Sequence, residues 1–185
     1  VKAGVLALQG DFREHAAMFA ACGATPVEVR TVAELAGVDV LAIPGGESTT
    51  IARLARDGGL VEPLRERILS GMPVFGTCAG MIVMAHEVID GEPLLDVLDI
   101  AVRRNAYGRQ VDSFETDVDA RDIGPVRAVF IRAPVVERVD DGVEVLAELA
   151  GRPVLVRQGA VLAAAFHPEI AGDARLHRLL VDLAG

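Results

Sequence analysis

One cysteine of this chain stands in Val74-Phe75-Gly76-Thr77-Cys78-Ala79-Gly80-Met81, between two glycines and at the end of an apolar run. A strand that enters Gly-x-Cys-x-Gly and leaves as a helix is the cysteine form of a nucleophile elbow. The spacing has a physical reason. A sharp strand-to-helix turn lifts the middle residue to its apex in a strained conformation, and the flanking glycines let neighbouring backbone approach without a Cβ. The thiol then lies at a helix N-terminus, where free N–H groups and the helix dipole favour thiolate over thiol. The N–H of Ala79 points to where an oxyanion would form. The competing reading is a buried cysteine in a tight turn, and in a chain with 19 glycines the pattern alone does not separate the two.

A thiolate nucleophile needs a proton shuttle, and the shuttle needs a third group to fix its tautomer. Four histidines are available: His15, His86, His167 and His177. His15 and His177 fall on predicted helices, and His86 falls near the end of the helix after the elbow. His167 is different, because it follows an apolar strand in Ala165-Phe166-His167-Pro168-Glu169. Residues i and i+2 of extended backbone project to the same side, and Pro168 biases His167 towards that geometry. Glu169 is therefore expected beside the imidazole, accepting a hydrogen bond from it and leaving the other nitrogen to face a cysteine. A solvated His-Pro-Glu turn is the alternative. The elbow shifts the balance, since both features lie at strand C-terminal ends, where open α/β sheets put their sites. Cys22, by contrast, has apolar neighbours at helical spacing and is expected in the core.

Pro44-Gly45-Gly46-Glu47-Ser48-Thr49-Thr50 follows another strand and opens a helix, with Ser48, Thr49 or Thr50 as the expected cap. It lacks the lysine and spacing of a phosphate loop, and Glu47 would repel phosphate. A backbone N–H near Gly46 is better suited to be a second oxyanion donor opposite Ala79. Glu47 could meet a substrate ammonium or be an ordinary loop residue.

The elements that must carry these loops are legible as strand alternating with helix in the first half. Strands are expected over 5–8, 26–30, 38–43 and 73–76. Helices are expected after Asp11 (a candidate cap), over 31–35 as a short turn, through Leu54, over 60–69, and from Ala79 to about Glu87. The second half reads as short strands over 100–102, 114–118, 126–131, 143–149, 153–157 and 161–166, closed by an amphipathic helix over 173–183. The expected architecture is α/β, residues 1–185 as a single three-layer domain. It has a central mostly parallel sheet, antiparallel or mixed strands in the second half, and helices on both faces.

Composition excludes several partners. With 18 Lys+Arg against 27 Asp+Glu the formal charge is −9, and the only aromatics are six Phe and one Tyr. Such a surface repels phosphate backbones and anionic membranes and offers few rings to stack on bases. No apolar run approaches the roughly 20 residues of a membrane span. No secretory signal is expected, and two cysteines make no disulfide framework, so the expected setting is a reducing cytoplasm.

Gly76-Thr77-Cys78-Ala79-Gly80, His167-Pro168-Glu169 and Pro44-Gly45-Gly46-Glu47-Ser48 together resemble the triad-type (class I) glutamine amidotransferases. Further motifs carry the resemblance to the glutaminase subunits of pyridoxal 5′-phosphate synthase. These are Leu8-Gln9-Gly10, Arg104-Asn105-Ala106-Tyr107-Gly108-Arg109-Gln110-Val111-Asp112-Ser113-Phe114-Glu115 and Phe130-Ile131-Arg132-Ala133-Pro134. The resemblance implies hydrolysis of L-glutamine to glutamate and ammonia. The ammonia would pass to a (β/α)8-barrel synthase subunit that builds the cofactor from ribose 5-phosphate and glyceraldehyde 3-phosphate. It implies a catalytic Cys78, His167 and Glu169, an oxyanion hole at Gly46 and Ala79, and glutamine held at Gly46, Glu47, Ser48, Arg104, Ile131 and Arg132. The hydrolysis as read needs no cofactor and no metal ion. The chemistry fits, because an α-carboxylate wants a guanidinium and an α-ammonium wants a carboxylate. Alternatives are another class I amidotransferase or a γ-glutamyl hydrolase, and an elbow-cysteine redox or chaperone protein, in which the His-x-Glu pair would be unnecessary.

Overall fold

The computed structural model describes residues 1–104 and 113–185, so positions 105–112, most of the 104–115 motif, lie outside the described residues. The first half contains β1 (Lys2–Leu6), α1 (Phe12–Ala21), β2 (Thr25–Val29), α2 (Val32–Ala36), β3 (Val40–Ile43), α3 (Ser48–Asp57), α4 (Val61–Leu69), β4 (Val74–Thr77) and α5 (Ala79–Met84). Then follow β5 (Ala85–Val88), β6 (Leu98–Arg103), β7 (Phe114–Ala120), β8 (Gly124–Phe130) and β9 (Val135–Val139). The chain ends with β10 (Glu144–Leu149), β11 (Arg152–Gln158), β12 (Val161–Ala164) and α6 (Arg175–Asp182).

Seven strands make the central sheet, in the order β10-β11-β12-β4-β3-β1-β2. The run β12-β4-β3-β1-β2 is parallel throughout, and β11 and β10 are added antiparallel at one edge. β3, β4 and β12 are buried at every residue, as strands covered on both faces must be. That is why Val-Leu-Ala-Ile and Val-Leu-Ala-Ala read as unbroken apolar runs rather than alternating ones. α1 packs on β1, β2 and α6; α5 packs on β3, β4, β12 and α3. The architecture is the α/β arrangement expected, with a mostly parallel main sheet and antiparallel strands late in the chain.

Several boundaries differ from expectation, and β12 for one ends at Ala164 rather than at 166. The helix after the elbow stops at Met84, because Ala85–Val88 pairs parallel with β6 in a separate three-stranded sheet, β5-β6-β9. Sheet pairing overrides the helical periodicity that runs through Glu87. β9, a strand the periodicity does not single out, closes the other side of β6 antiparallel. The first strand also starts earlier, at Lys2, in register with Thr25 of β2. β7 and β8 form a hairpin, and an isolated bridge from Val129 to His167 ties it to the chain leaving β12.

Candidate active site

Four adjacent parallel strands, β12, β4, β3 and β1, end on the same side of the sheet, so the segments that leave them meet there. β4 delivers Cys78. Its backbone is at φ 51 and ψ −104, a conformation costly for any residue with a Cβ. Its N–H donates to the Ala164 carbonyl at 2.9 Å, locking the elbow to the end of β12. The two glycines are there because the turn is packed solid. A Cβ on Gly80 would lie 2.1 Å from the Ile43 carbonyl oxygen, and one on Gly76 would lie 2.5 Å from Met84 Cε and 2.7 Å from the Gly80 carbonyl carbon.

β12 delivers His167, whose N–H donates to Val129 O at 2.8 Å. The ring is 5% exposed and Glu169 3%, and His167 Nδ1 meets Glu169 Oε1 at 2.6 Å. Asp11, at the end of the β1 loop, places Oδ2 3.0 Å from the same nitrogen. Two carboxylates on Nδ1 fix the proton there and leave Nε2 for the cavity that the ring and the Cys78 thiol both line. Burial opposes a charge on the imidazole, but the hydrogen bonds with Asp11, Cys78 and Glu169 outweigh it and push His167 up to about 12. Burial drives the Glu169 carboxyl up to about 7, against the lowering pull of the imidazole.

The remaining expected residues line the same cavity of about 350 Å³: Gly46, Glu47, Ser48, Ala79, Arg104, Ile131 and Arg132. The Ile131 carbonyl is 3.9 Å from Cys78 Sγ, and Arg132 follows at φ 43. Arg104 is steered by Asp90, whose carbonyl accepts from Nη2 at 2.7 Å and whose carboxylate lies 3.6 Å from Nε. Glu47, not a hydroxyl residue, caps α3: its carboxylate accepts from the Thr50 N–H at 2.9 Å and from the Thr49 and Thr50 hydroxyls. Its longer side chain takes the capping role expected of Ser48, Thr49 or Thr50. The Glu47 N–H itself is held by Gln9 Oε1 at 2.8 Å. A larger open groove of about 760 Å³ between β8 and α6 holds no nucleophile, and its Arg127 and Arg175 are paired with Glu115, Asp117 and Asp173.

Gly45 touches the imidazole so closely that a Cβ there would sit 2.2 Å from His167 Cε1. Gly45→Ala is therefore expected to push the ring aside by about an ångström, lower kcat by roughly 100-fold and lower the melting temperature as well, since overpacking a buried site costs about 1–3 kcal/mol. Steady-state kinetics with a thermal melt would check this; unchanged kcat would mean that the ring position does not matter.

Sequence reasoning missed a buried network behind the pair. His15 Nδ1 meets His177 Nε2 at 2.8 Å, and His15 Nε2 meets the Thr77 hydroxyl at 3.0 Å and Glu169 Oε1 at 3.6 Å. The one available signal is a pair of histidines on the apolar faces of the first and last helices. Burial, the largest cause, lowers His15 to about 4 and His177 well below its ordinary value. A depressed histidine contributes stability present above its unfolded pKa of 6.5 and lost as pH falls towards 4. Glu169, raised to about 7, works in the opposite direction over the same range, one proton against two. The melting temperature is expected to fall as pH drops below 6.5, and His177→Gln should flatten that slope. An equal slope in both proteins would refute it.

Comparison with known proteins bears on the whole chain. A model of the SNO glutamine amidotransferase family matches residues 5–184. The Frankia alni protein named pyridoxal 5′-phosphate synthase subunit PdxT is 60% identical, over 97% of this chain and 93% of its own. Its namesake from Mycobacterium tuberculosis strain CDC 1551 is 56% identical, over 98% and 96%. A crystal structure described as a glutamine amidotransferase superposes with a TM-score of 0.94 at 52% identity, over 99% of this chain and 98% of that one. At 16% identity, a chain of the PurLQS structure from Thermotoga maritima shares the fold at a TM-score of 0.77, covering 100% of this chain and 98% of that one. The chain belongs to the SNO glutamine amidotransferase family.

Proposed function

We propose that this chain hydrolyses L-glutamine to L-glutamate and ammonia and supplies that ammonia to a partner synthase subunit for pyridoxal 5′-phosphate (vitamin B6) formation. The observation that carries the chemistry is one cavity shared by the elbow thiol of Cys78 and an imidazole whose far nitrogen is held by Glu169. Cys78 Sγ attacks the side-chain amide carbon, and His167 gives a proton to the departing ammonia. The C–N bond breaks and a thioester remains. His167 then takes a proton from water as its oxygen adds to the thioester carbon, and glutamate leaves as the Sγ–C bond breaks. The N–H groups of Ala79 and near Gly46 face both tetrahedral oxyanions, each worth on the order of 3 kcal/mol at other acyl-transfer sites.

Substrate placement follows from charge. Arg104 and Arg132 meet the α-carboxylate and Glu47 the α-ammonium, with Ser48 and the Ile131 backbone beside them. The names borne by relatives at 56% and 60% identity support the biosynthetic setting. The partner is read as a (β/α)8 barrel, and the setting as the cytoplasm, where both free thiols stay reduced. Among the described residues no helix is long and apolar enough to cross a membrane. Ammonium is no nucleophile, so delivery has to be direct, within a complex. The test uses the purified chain with and without its synthase partner, measuring glutamate release and pyridoxal phosphate formed from glutamine. Partner-stimulated hydrolysis and glutamine-dependent cofactor formation are expected. Equal hydrolysis with and without the partner would refute the coupling, and absence of hydrolysis in the complex would refute the activity.

A further inference from the structure

We infer that Asp11 is a positioning residue for His167, a second carboxylate that shares the Nδ1–H with Glu169 and helps hold the imidazolium charge. The inference rests on the amidohydrolase reading above but concerns a residue outside the Cys78–His167–Glu169 set. Asp11 stands at the N-cap of α1, where an aspartate ordinarily accepts from the first-turn N–H groups. Here it makes no side-chain cap hydrogen bond. The carboxylate turns to the imidazole instead, with Oδ2 3.0 Å from Nδ1, while Oδ1 is buried without a partner among the described residues. Its backbone is pinned for this purpose, the Asp11 N–H donating to Gly45 O at 3.2 Å, and Gly10 is pressed so close to that oxygen that a Cβ would lie 1.8 Å away. One polar atom from each of Asp11, His167 and Glu169 lies within 4.8 Å of the others.

Two acids this close cannot both be comfortably ionised in a buried site. The burial of Glu169 raises its proton affinity to about 7. Burial also works to raise Asp11, but its hydrogen bond to His167 carries it below the usual carboxylate range. Asp11 thus supplies the dependable negative charge, and Glu169 the deeply buried anchor. The groups facing the imidazole are Asp11 before α1, Glu169 on its own loop and Cys78 at the elbow. His15 on α1 and His177 on α6 lie behind Glu169, and Glu47, Arg104 and Arg132 stand further out in the cavity.

Asp11→Asn, assayed in the complex with the synthase partner, is expected to lower kcat about tenfold and leave KM within about twofold. The alkaline limb of the kcat/KM profile should move down by about one pH unit, because an imidazolium that loses a neighbouring anion gives up its proton more readily. Asp11→Glu keeps the charge and is expected to return the limb to its parental position, which a purely structural role would not do. An alkaline limb unmoved in Asp11→Asn overturns the inference, as does a change confined to KM, which would make Asp11 a substrate contact. The parental complex and Cys78→Ala run beside these variants. If the parent hydrolyses glutamine and Asp11→Asn matches it, only the Asp11 assignment falls. If the parent does not hydrolyse glutamine, the functional reading falls and takes this inference with it.

Discussion

Cys78→Ala is expected to abolish glutamine hydrolysis, with a loss on the order of a million-fold by analogy with triads in which removal of the nucleophile alone removes nearly all that the triad contributes. Glutamate release and mass spectrometry after a glutamine-like electrophile provide the measurements, and the parent should carry one adduct, at Cys78. Fold and partner binding should survive. The Cys78 side chain makes one weak polar contact with backbone, to Ile131 O at 3.9 Å, and alanine carries the same conformational penalty as cysteine at φ 51. Cys78→Gly separates strain from chemistry. It should be equally inactive yet more stable than Cys78→Ala by about 1 kcal/mol, since glycine tolerates the apex conformation. Substantial turnover in Cys78→Ala would remove the thiol from its role, and a glycine variant less stable than the alanine one would show that the apex is not strained.

The parts of this molecule that are legible in its sequence are those where one local rule suffices. The strands expected over 38–43 and 161–166 are present, shorter, as Val40–Ile43 and Val161–Ala164, and are buried at every residue. Gly76 and Gly80 read as close-approach positions, and the Cβ distances at both show why. Pro168 and the i, i+2 rule put the Glu169 carboxylate beside the imidazole of His167, where Oε1 lies 2.6 Å from Nδ1.

What the sequence conceals depends on pairings between distant segments. No local pattern distinguishes an aspartate that caps α1 from one that turns towards a ring 156 positions later, because the choice is made by the juxtaposition of β1 and β12 loops across the sheet. Ala85–Val88 continues the helical apolar spacing of α5, and only the presence of β6 beside it makes a strand the better use of its backbone groups. His15 and His177, 162 positions apart, each read as a histidine on an apolar face; together they share a hydrogen bond in a fully buried site.

His167→Gln is the second large loss, expected to approach that of Cys78→Ala because base and nucleophile act as one unit. The double variant His167→Gln/Cys78→Ala should then be no worse than either single one, whereas additive losses would mean that the imidazole and the thiol do not act on each other. Glu169→Gln should cost less, on the order of 10⁴-fold or below, since the orienting carboxylate of a triad contributes less than the groups it orients. Asp11 also remains on Nδ1 at 3.0 Å. Stability gives an independent reading of the same ring. A histidine raised from 6.5 to about 12 contributes stability that is complete below 6.5 and is lost as pH climbs towards 12. The parent should therefore lose melting temperature steadily from neutral pH upwards, and His167→Gln, having no proton to surrender, should lose less over the same range. Parallel alkaline slopes would show that the imidazole is neutral at rest, and the thiolate–imidazolium pair would then form only once glutamine is bound.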